Sequence, residues 1–317
     1  MAWPPHPALK RHPLPTDERA GTEEGLFTNA SPLYRLLQAA DVPAAQRLRE
    51  LAHWNQTSAD WLNLLAIEPQ GCFAAEVNGL VIGTATTTRF LPSSGPGSFG
   101  WVGMVLVDPS FRGRGTGSTL LRRALDYLHR CGVETVKLDA TPMGRAVYLK
   151  HGFQDECNLE RWAGRASSIP APECAIAPLR AADLAAVAAY DAVAFGADRR
   201  SILQAWFQSW PETAVAAWEG PRLAGYALAR RGTNYFHAGP IVCDKPETGR
   251  ALVARVFQSI AGQPMILDFF TENAWVRELA KQAGLTHQRP LVRMCQGPNT
   301  APGRREKIVA IAGPEVG

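Results

Sequence analysis

One short segment of the chain, Arg112-Gly113-Arg114-Gly115-Thr116-Gly117, has the residue types needed to bind an anion. The apolar residues 99–107 before it predict a strand, and apolar residues at helical spacing after it predict a helix over 118–131. A helix N-terminus offers backbone N–H groups and the positive end of the helix dipole, and glycines let the backbone approach phosphate oxygens closely. Arg112 and Arg114 add positive charge. The segment therefore predicts a pyrophosphate-binding site.

Two other phosphate-binding loops do not match this spacing. A dinucleotide-binding fold carries G-x-G-x-x-G near the start of a βαβ unit, whereas a hairpin signalled by Asn78-Gly79 precedes the loop here. A Walker loop ends in Gly-Lys-Ser or Gly-Lys-Thr, and Gly117-Ser118-Thr119 has no lysine. The sequence therefore disfavours NAD and a Walker-type nucleotide site.

The residues from Val107 to Gly117 resemble the pyrophosphate-binding signature of the GCN5-related N-acetyltransferase (GNAT) superfamily. Residues 146–153, Ala-Val-Tyr-Leu-Lys-His-Gly-Phe, are similar to the tyrosine-bearing helix of that superfamily and its Gly-Phe ending. The resemblance implies that acetyl-coenzyme A lies between two splayed strands and that its acetyl group passes directly to a primary amine, without a covalent enzyme intermediate. The cofactor-binding residues that it implies are Met104, Val105, Val107, Arg112, Gly113, Arg114, Gly115, Thr116, Gly117 and Ser118.

The same resemblance implies two catalytic groups. The N–H of Val105 would donate to the developing oxyanion, and Tyr148 would protonate the departing thiolate as a general acid. No single residue stands out as the base that takes the proton of the amine. Some relatives carry histidines on the strand before the glycine loop, where this chain has Trp101 and Gly103. Other candidates, each with a surface or packing role as the alternative, are Glu76, His53, Asp139 and His151.

The acceptor side of the site is less clearly marked. Trp54, Asn55 and Gln56 precede a predicted helix, and this superfamily usually walls its acceptor site with helices ahead of the hairpin. Trp54 and Trp61 frame these amides and a hydroxyl, and together they could bind a polar acceptor. Alternatively, Thr57 could simply cap the helix while both tryptophans fill the core. Asp268, near the end of a predicted strand, could contact a cationic ligand, with a solvated or capping carboxylate as the alternative.

The chain of 317 residues is long enough for two domains, and the second half repeats the predicted order of elements of the first. It resembles tandem acetyltransferases with a YitH-type C-terminal domain. We therefore expect two tandem GNAT-like domains of the α/β (α+β) class, each a mixed, mostly antiparallel sheet flanked by helices. Residues 242–250 replace the glycine loop in the second copy, and their proline and acidic residues disfavour phosphate binding. The expected ranges are a flexible arm (1–31), the catalytic domain (32–163), a linker (164–173), the degenerate domain (174–296) and a C-terminal tail (297–317).

The composition of the chain bears on its partners, on metal binding and on its location in the cell. The formal net charge of +4 comes from scattered residues, which suggests neither a nucleic-acid nor a membrane partner. The six cysteines lack metal-site spacing, so we expect no metal site, and reduced thiols fit the cytoplasm. No apolar run long enough for a membrane span and no signal peptide is evident. The oligomeric state stays open.

Three functions are compatible with these features. The first is acetylation of a small-molecule amine by acetyl-coenzyme A. The second is acetylation of a protein lysine or N-terminus, which would need an open groove. The third is a sensor that binds acetyl-coenzyme A or an acceptor-like metabolite without turnover, although a sensor has no need for a thiolate acid such as Tyr148.

Overall fold

The computed structural model describes residues 31–91, 98–165 and 167–317. Most of the predicted arm, residues 1–31, therefore lies outside the described residues. The strands of the first half are β1 (Leu33–Leu36), β2 (Phe73–Val77), β3 (Leu80–Phe90), β4 (Phe99–Val107), β5 (Thr135–Ala140) and β6 (Gln154–Arg165). Its α-helices are α1 (Val42–Leu51), α2 (Ser58–Ile67), α3 (Thr116–Arg130) and α4 (Pro142–Leu149).

The second half repeats this order. Its strands are β7 (Ile176–Pro178), β8 (Val215–Glu219), β9 (Arg222–Arg231), β10 (Phe236–Cys243), β11 (Pro264–Phe270), β12 (Thr286–Gln296) and β13 (Ile308–Ala310). Its α-helices are α5 (Leu184–Phe195), α6 (Arg200–Ser209), α7 (Pro246–Ser259) and α8 (Ala274–Gln282). None of the helices in the described ranges has both the length and the apolar character that a membrane crossing requires.

All thirteen described strands belong to one sheet, whose path is β1-β2-β3-β4-β5-β12-β6-β11-β10-β9-β8-β7, with β13 beside β10. Only β4–β5 and β10–β11 pair in parallel, one pair in each half. Helices flank the sheet, and α3 buries Leu120, Leu121, Leu125 and Leu128 against it. The expected architecture, two repeated units of mixed and mostly antiparallel strands flanked by helices, is confirmed.

The two halves exchange one long strand each, β6 and β12. β12 of the second half pairs with β5, and β6 of the first half pairs with both β12 and β11. Sheet hydrogen bonds therefore cross the boundary between the halves, and β6 extends to Arg165, into the predicted linker 164–173. The exchange brings side chains of both halves to the same central strands.

Two expectations for the ends of the described chain are wrong. The spacing of Leu33, Leu36 and Leu37 along the sequence predicts a helix. Leu33–Leu36 instead forms β1, because pairing with the open edge of β2 satisfies its backbone groups. The segment 297–317 was expected to be a tail, but its apolar residues 308–312 are buried and β13 pairs with β10. The free energy gained by burying this apolar run in the core outweighs the conformational entropy that the segment loses.

Candidate active site

The strands β4 and β5 separate in the middle of the sheet. They pair only from Phe99–Trp101 to Thr135–Lys137. Met104 has a φ of +50° and lies in a bulge, since Thr84 pairs with Leu106 and Thr86 with Gly103. The Thr84 hydroxyl donates to the carbonyl oxygen of Met104 at 2.8 Å and fixes the bulge. The bulge redirects the backbone of β4 beside the opening between the two strands.

The glycine loop lies between β4 and α3, as predicted. Gly113 and Gly115 have φ values of +75° and +83°, a conformation that favours glycine, and Gly115 is the N-cap of α3. Arg112 Nε donates to the carbonyl oxygen of Val107 at 3.0 Å, which holds the loop against the end of β4. Helix geometry leaves the first-turn N–H groups of Thr116, Gly117 and Ser118 without intrahelical acceptors. The loop and helix end therefore form a compact cradle with the means to bind a phosphate.

Tyr148 lies on α4, on the other side of the opening. Thr141 caps this helix by accepting from the N–H of Gly144 at 3.2 Å. The Tyr148 ring packs edge-on against Phe153, with centroids 5.9 Å apart. Burial raises the pKa of Tyr148 to about 12, so its phenol is protonated at neutral pH. The structure thus gives this side chain the protonation state of an acid.

A cavity joins the strand opening to the second half of the chain. Its floor is the bulged part of β4, and its far side is built by β6, β12 and the segment after β13. The lining residues are Trp54, Gln56, Val102, Gly103, Met104, Val105, Asp139, Thr141, Tyr148, Arg161, Arg289, Leu291, Pro314 and Glu315. Of the residues predicted from sequence, Trp54, Gln56, Met104, Val105 and Tyr148 are among them.

Asn55 was predicted beside the acceptor but is absent from this lining. Its side-chain oxygen accepts from the backbone N–H groups of Asn234 and Tyr235, at 3.0 and 2.9 Å. It therefore anchors the connection between β9 and β10 to the first half. The capping alternative holds nearby, because Thr57 caps α2 and Trp61 is fully buried.

Asp268 is also absent from the cavity lining, so the expected contact with a cationic ligand does not match the structure. Its carboxylate is fully buried and accepts two hydrogen bonds from Arg161, each of 2.7 Å. Burial would raise the pKa of Asp268, but the Arg161 guanidinium outweighs burial and the pKa is lowered. The group that reaches the cavity is the cation, Arg161, because the carboxylate behind it is buried in the sheet.

Glu315 is a cavity residue that sequence reasoning missed. It accepts from Gln56 Nε2 at 2.9 Å and pairs with Arg230, whose Nη1 lies 2.9 Å from Asp60. Burial raises the pKa of Glu315 in spite of Arg230. The sequence offered one indirect signal, which concerns its partner Arg230. This arginine directly follows the apolar run 223–229, and a charged residue at the end of a buried strand needs a charged partner.

Trp101 and Gly103 explain how the segment carrying Glu315 is placed. The Trp101 indole donates to the carbonyl oxygen of Pro314 at 3.0 Å. A Cβ on Gly103 would lie 2.5 Å from the carbonyl oxygen of Glu315, so only glycine permits this approach. The strand positions that lack histidine in this chain therefore contact the backbone of the C-terminal segment that carries Glu315.

The structure distinguishes the four residues that the sequence offered as the general base by whether they line the cavity. Asp139 lines the cavity, but both its oxygens accept from Arg293, at 2.8 and 2.9 Å. Glu76 pairs with Arg35, while His53 is exposed after α1 and His151 follows α4. Only Asp139 of these four faces the cavity. In the described ranges, no cluster of three or more His, Cys, Asp or Glu could hold a metal ion.

Family models match both halves of the chain. The model described as "Acetyltransferase (GNAT) family" matches residues 33–153, and the model described as "Acetyltransferase (GNAT) domain" matches residues 187–310. The first range includes the strand opening, the glycine loop and Tyr148. The second includes the strands that complete the cavity.

Individual relatives agree with this division. Holothin acyltransferase of a Pseudoalteromonas species is 24% identical over 266 residues, which cover 83% of this chain and 87% of that protein. The uncharacterized N-acetyltransferase YitH of Bacillus subtilis is 22% identical over 185 residues, covering 58% of this chain and 64% of its own length.

Solved structures share the fold. A putative acetyltransferase from Pyrococcus horikoshii superimposes with a TM-score of 0.76 at 21% identity, over 91% of this chain and 97% of that one. A tandem GNAT protein from the clavulanic acid biosynthesis pathway gives a TM-score of 0.56 at 15% identity, over 84% and 98%. At these identities the likeness concerns the fold.

Proposed function

The chain is a tandem GNAT protein and an acyltransferase, and from this premise we propose that it uses acetyl-coenzyme A to acetylate the primary amine of a small metabolite. The single observation that carries this proposal is the cavity. It begins at the opening between β4 and β5, beside Tyr148, and is closed by the second half of the chain.

The residues present fit coenzyme A. The cradle of residues 112–118 would hold its pyrophosphate through backbone N–H groups and the α3 dipole. A Cβ added to Gly113 or Gly115 would have no atom within 4 Å, so there is open space at the loop. Met104, Val105 and Val107 would contact the pantetheine along the bulged strand. When bound, the cofactor supplies the thioester whose acetyl group is transferred.

Three groups of the chain would act on the reaction. The N–H of Val105 would donate to the thioester carbonyl oxygen and stabilise negative charge there. The protonated Tyr148 phenol would supply the proton that the departing thiolate takes up. Glu315 accepts the amine proton, because Asp139 is committed to Arg293, whereas Glu315 shares one guanidinium with Asp60.

The shape of the cavity favours a small acceptor over a protein. Pro314 and Glu315 cover β4 from the second half, and Trp54, Arg161 and Leu291 line the remaining sides. An extended peptide would need an open groove along the sheet. A sensor without turnover is disfavoured because a protonated tyrosine lines the same cavity as the carboxylate.

The direct test is calorimetric titration with acetyl-coenzyme A, followed by measurement of thiol release with a panel of small amines and lysine peptides. Binding followed by release with small amines supports the proposal. Release with peptides alone would identify a protein acetyltransferase. Binding without release would favour the sensor, and absence of binding would contradict the cofactor site.

A further inference from the structure

Two arginines of the cavity wall, Arg161 and Arg289, lie near one buried carboxylate, that of Asp268. Asp268, Arg161 and Arg289 lie side by side on the neighbouring strands β11, β6 and β12, in direct register. Arg161 takes both oxygens of Asp268. Among the described residues, Arg289 has no salt-bridge partner, and its Nε is buried without a hydrogen-bond partner. Nearby His237 is neutral, because burial lowers its pKa to about 3. This cluster carries one excess positive charge.

The placement of Arg289 is costly unless it has a ligand. Like charges directly opposite each other on neighbouring strands destabilise a sheet, and Arg289 lies opposite Arg161. An unpaired buried guanidinium nitrogen adds a desolvation cost. Burial, and then Arg161, lower the pKa of Arg289 to about 10, which still leaves it charged at neutral pH. A structural role would be better served by an apolar or acidic side chain at this position.

An excess of negative charge occurs on another side of the same cavity. Arg230 serves both Asp60 and Glu315, so two carboxylates share one guanidinium. Gln56 contributes a neutral hydrogen bond to Glu315. The remaining charged residue of the lining, Asp139, is balanced by Arg293. The cavity is therefore lined by one cluster with an excess positive charge and one with an excess negative charge.

We propose that the acceptor is a compact amine that also carries an anionic group, with the anion bound by Arg289 and the ammonium received at Glu315. The inference rests on the proposed function, since it names the acceptor class of that site. A free α-amino acid has this chemistry, as does a phosphorylated amine. Binding at Glu315 places the ammonium beside the carboxylate that takes its proton.

The test uses matched pairs that differ only in the anion. Phenylalanine is compared with 2-phenylethylamine, leucine with 3-methylbutylamine, lysine with cadaverine and O-phosphoethanolamine with ethanolamine. The full chain bound to coenzyme A is titrated with each compound by calorimetry, and thiol release from acetyl-coenzyme A is measured separately. The two readouts separate acceptor binding from acetyl transfer.

The variants are Arg289→Gln and, as a matched control, Arg255→Gln on the exposed side of α7. A charge-assisted hydrogen bond lost from a buried site corresponds to about a 10- to 100-fold loss of affinity. We expect Arg289→Gln to lose this factor in affinity and kcat/KM for the anionic member of a pair and to leave the neutral member unchanged. Without a ligand it should unfold at a temperature no lower than that of wild type, because the repulsion from Arg161 is removed. The control variant Arg255→Gln should prefer the anionic member of each pair as strongly as wild type does.

The possible outcomes are distinct. Preference for an amino acid supports a carboxylate ligand, and preference for O-phosphoethanolamine supports a phosphate ligand. Binding that depends on Arg289 without thiol release upholds this inference and contradicts acetyl transfer. Equal use of both members of every pair upholds acetyl transfer and overturns this inference. Loss of Arg289 without effect on the preference, or failure of every anionic amine to bind, also overturns it.

Discussion

Replacement of Arg230 by methionine tests whether the C-terminal half completes the cavity through a buried charge network. The guanidinium joins Asp60 at the start of α2 to Glu315 after β13. These three residues are 3%, 7% and 4% exposed, so solvent screens their interaction very little. Methionine keeps an apolar stem against Trp206, over which the guanidinium lies at 4.5 Å. The substitution therefore removes the charge and leaves most of the packing.

The expected loss of stability is large. Removing one partner from a buried ion pair costs about 3–5 kcal/mol, because the other charge is left uncompensated. Here one substitution leaves two carboxylates without a cation. Gln56 donates a hydrogen bond to one oxygen of Glu315 but brings no positive charge. We expect a loss of about 4 kcal/mol in the free energy of unfolding at pH 8. For a chain of this size, such a loss lowers the unfolding temperature by about 6 °C.

The loss should depend on pH in a defined direction. Burial already raises the pKa of Glu315, and removal of Arg230 raises it further. A carboxyl with a raised folded-state pKa loses stability as the pH rises from its unfolded value, about 4.3, to its folded value. The deficit of Arg230→Met relative to wild type should therefore shrink as the pH is lowered from 8 to 5.

Urea unfolding followed by tryptophan fluorescence at several pH values measures both effects. Arg255→Met is the matched control, because it makes the same change on an exposed helix face. It should unfold like wild type. The double variant Arg230→Met/Glu315→Gln should recover part of the loss, since one uncompensated charge is gone. A deficit for Arg230→Met below about 1 kcal/mol, the value of a surface pair, or one that does not change with pH, would refute the buried-network reasoning.

Further predictions concern the cofactor cradle, the proposed acid and a buried histidine. Gly115→Trp should abolish acetyl-coenzyme A binding by filling the cradle. Gly132→Trp, which has the same positive φ and open surroundings after α3, should bind normally, and equal binding by both variants would refute the cradle. Tyr148→Phe keeps the ring contact with Phe153, so turnover should fall about 100-fold with little change in acetyl-coenzyme A affinity; full activity would exclude the acid role. Between pH 6.5 and about 3 the unfolded chain protonates His237 and the folded chain does not, so stability falls with decreasing pH by about 1.4 kcal/mol per pH unit from this group. The free energy of unfolding of His237→Asn should lack this contribution, and a difference from wild type that is constant from pH 7 to 4 would contradict it.

The local elements around the cofactor cradle could be predicted from the sequence because their signals are contiguous. The apolar run of β4, the glycines at positive φ and the amphipathic α3 follow one another between residues 99 and 130. Each signal reflects backbone geometry that neighbouring residues impose on one another. The same holds for the Asn78-Gly79 hairpin and for the helix of Tyr148.

The acceptor side could not be predicted in this way. Gln56, Arg161, Arg289 and Glu315 come from four distant segments, and no spacing rule connects them. Asp268 illustrates the difficulty, because its position near a strand end suggested a ligand contact while its partner Arg161 reaches the cavity instead. Which of two paired side chains faces a cavity depends on register between strands.

The sequence by itself therefore determined the fold class, the repeated halves and the glycine loop at the start of α3. Only the tertiary structure decided that β6 and β12 change places between the halves and that the segment with Glu315 covers β4. The physical reason is the separation along the chain between the residues that interact. A helix N-terminus and a glycine turn form from local backbone preferences, whereas the balance of buried charges is set by contacts between residues far apart in the chain.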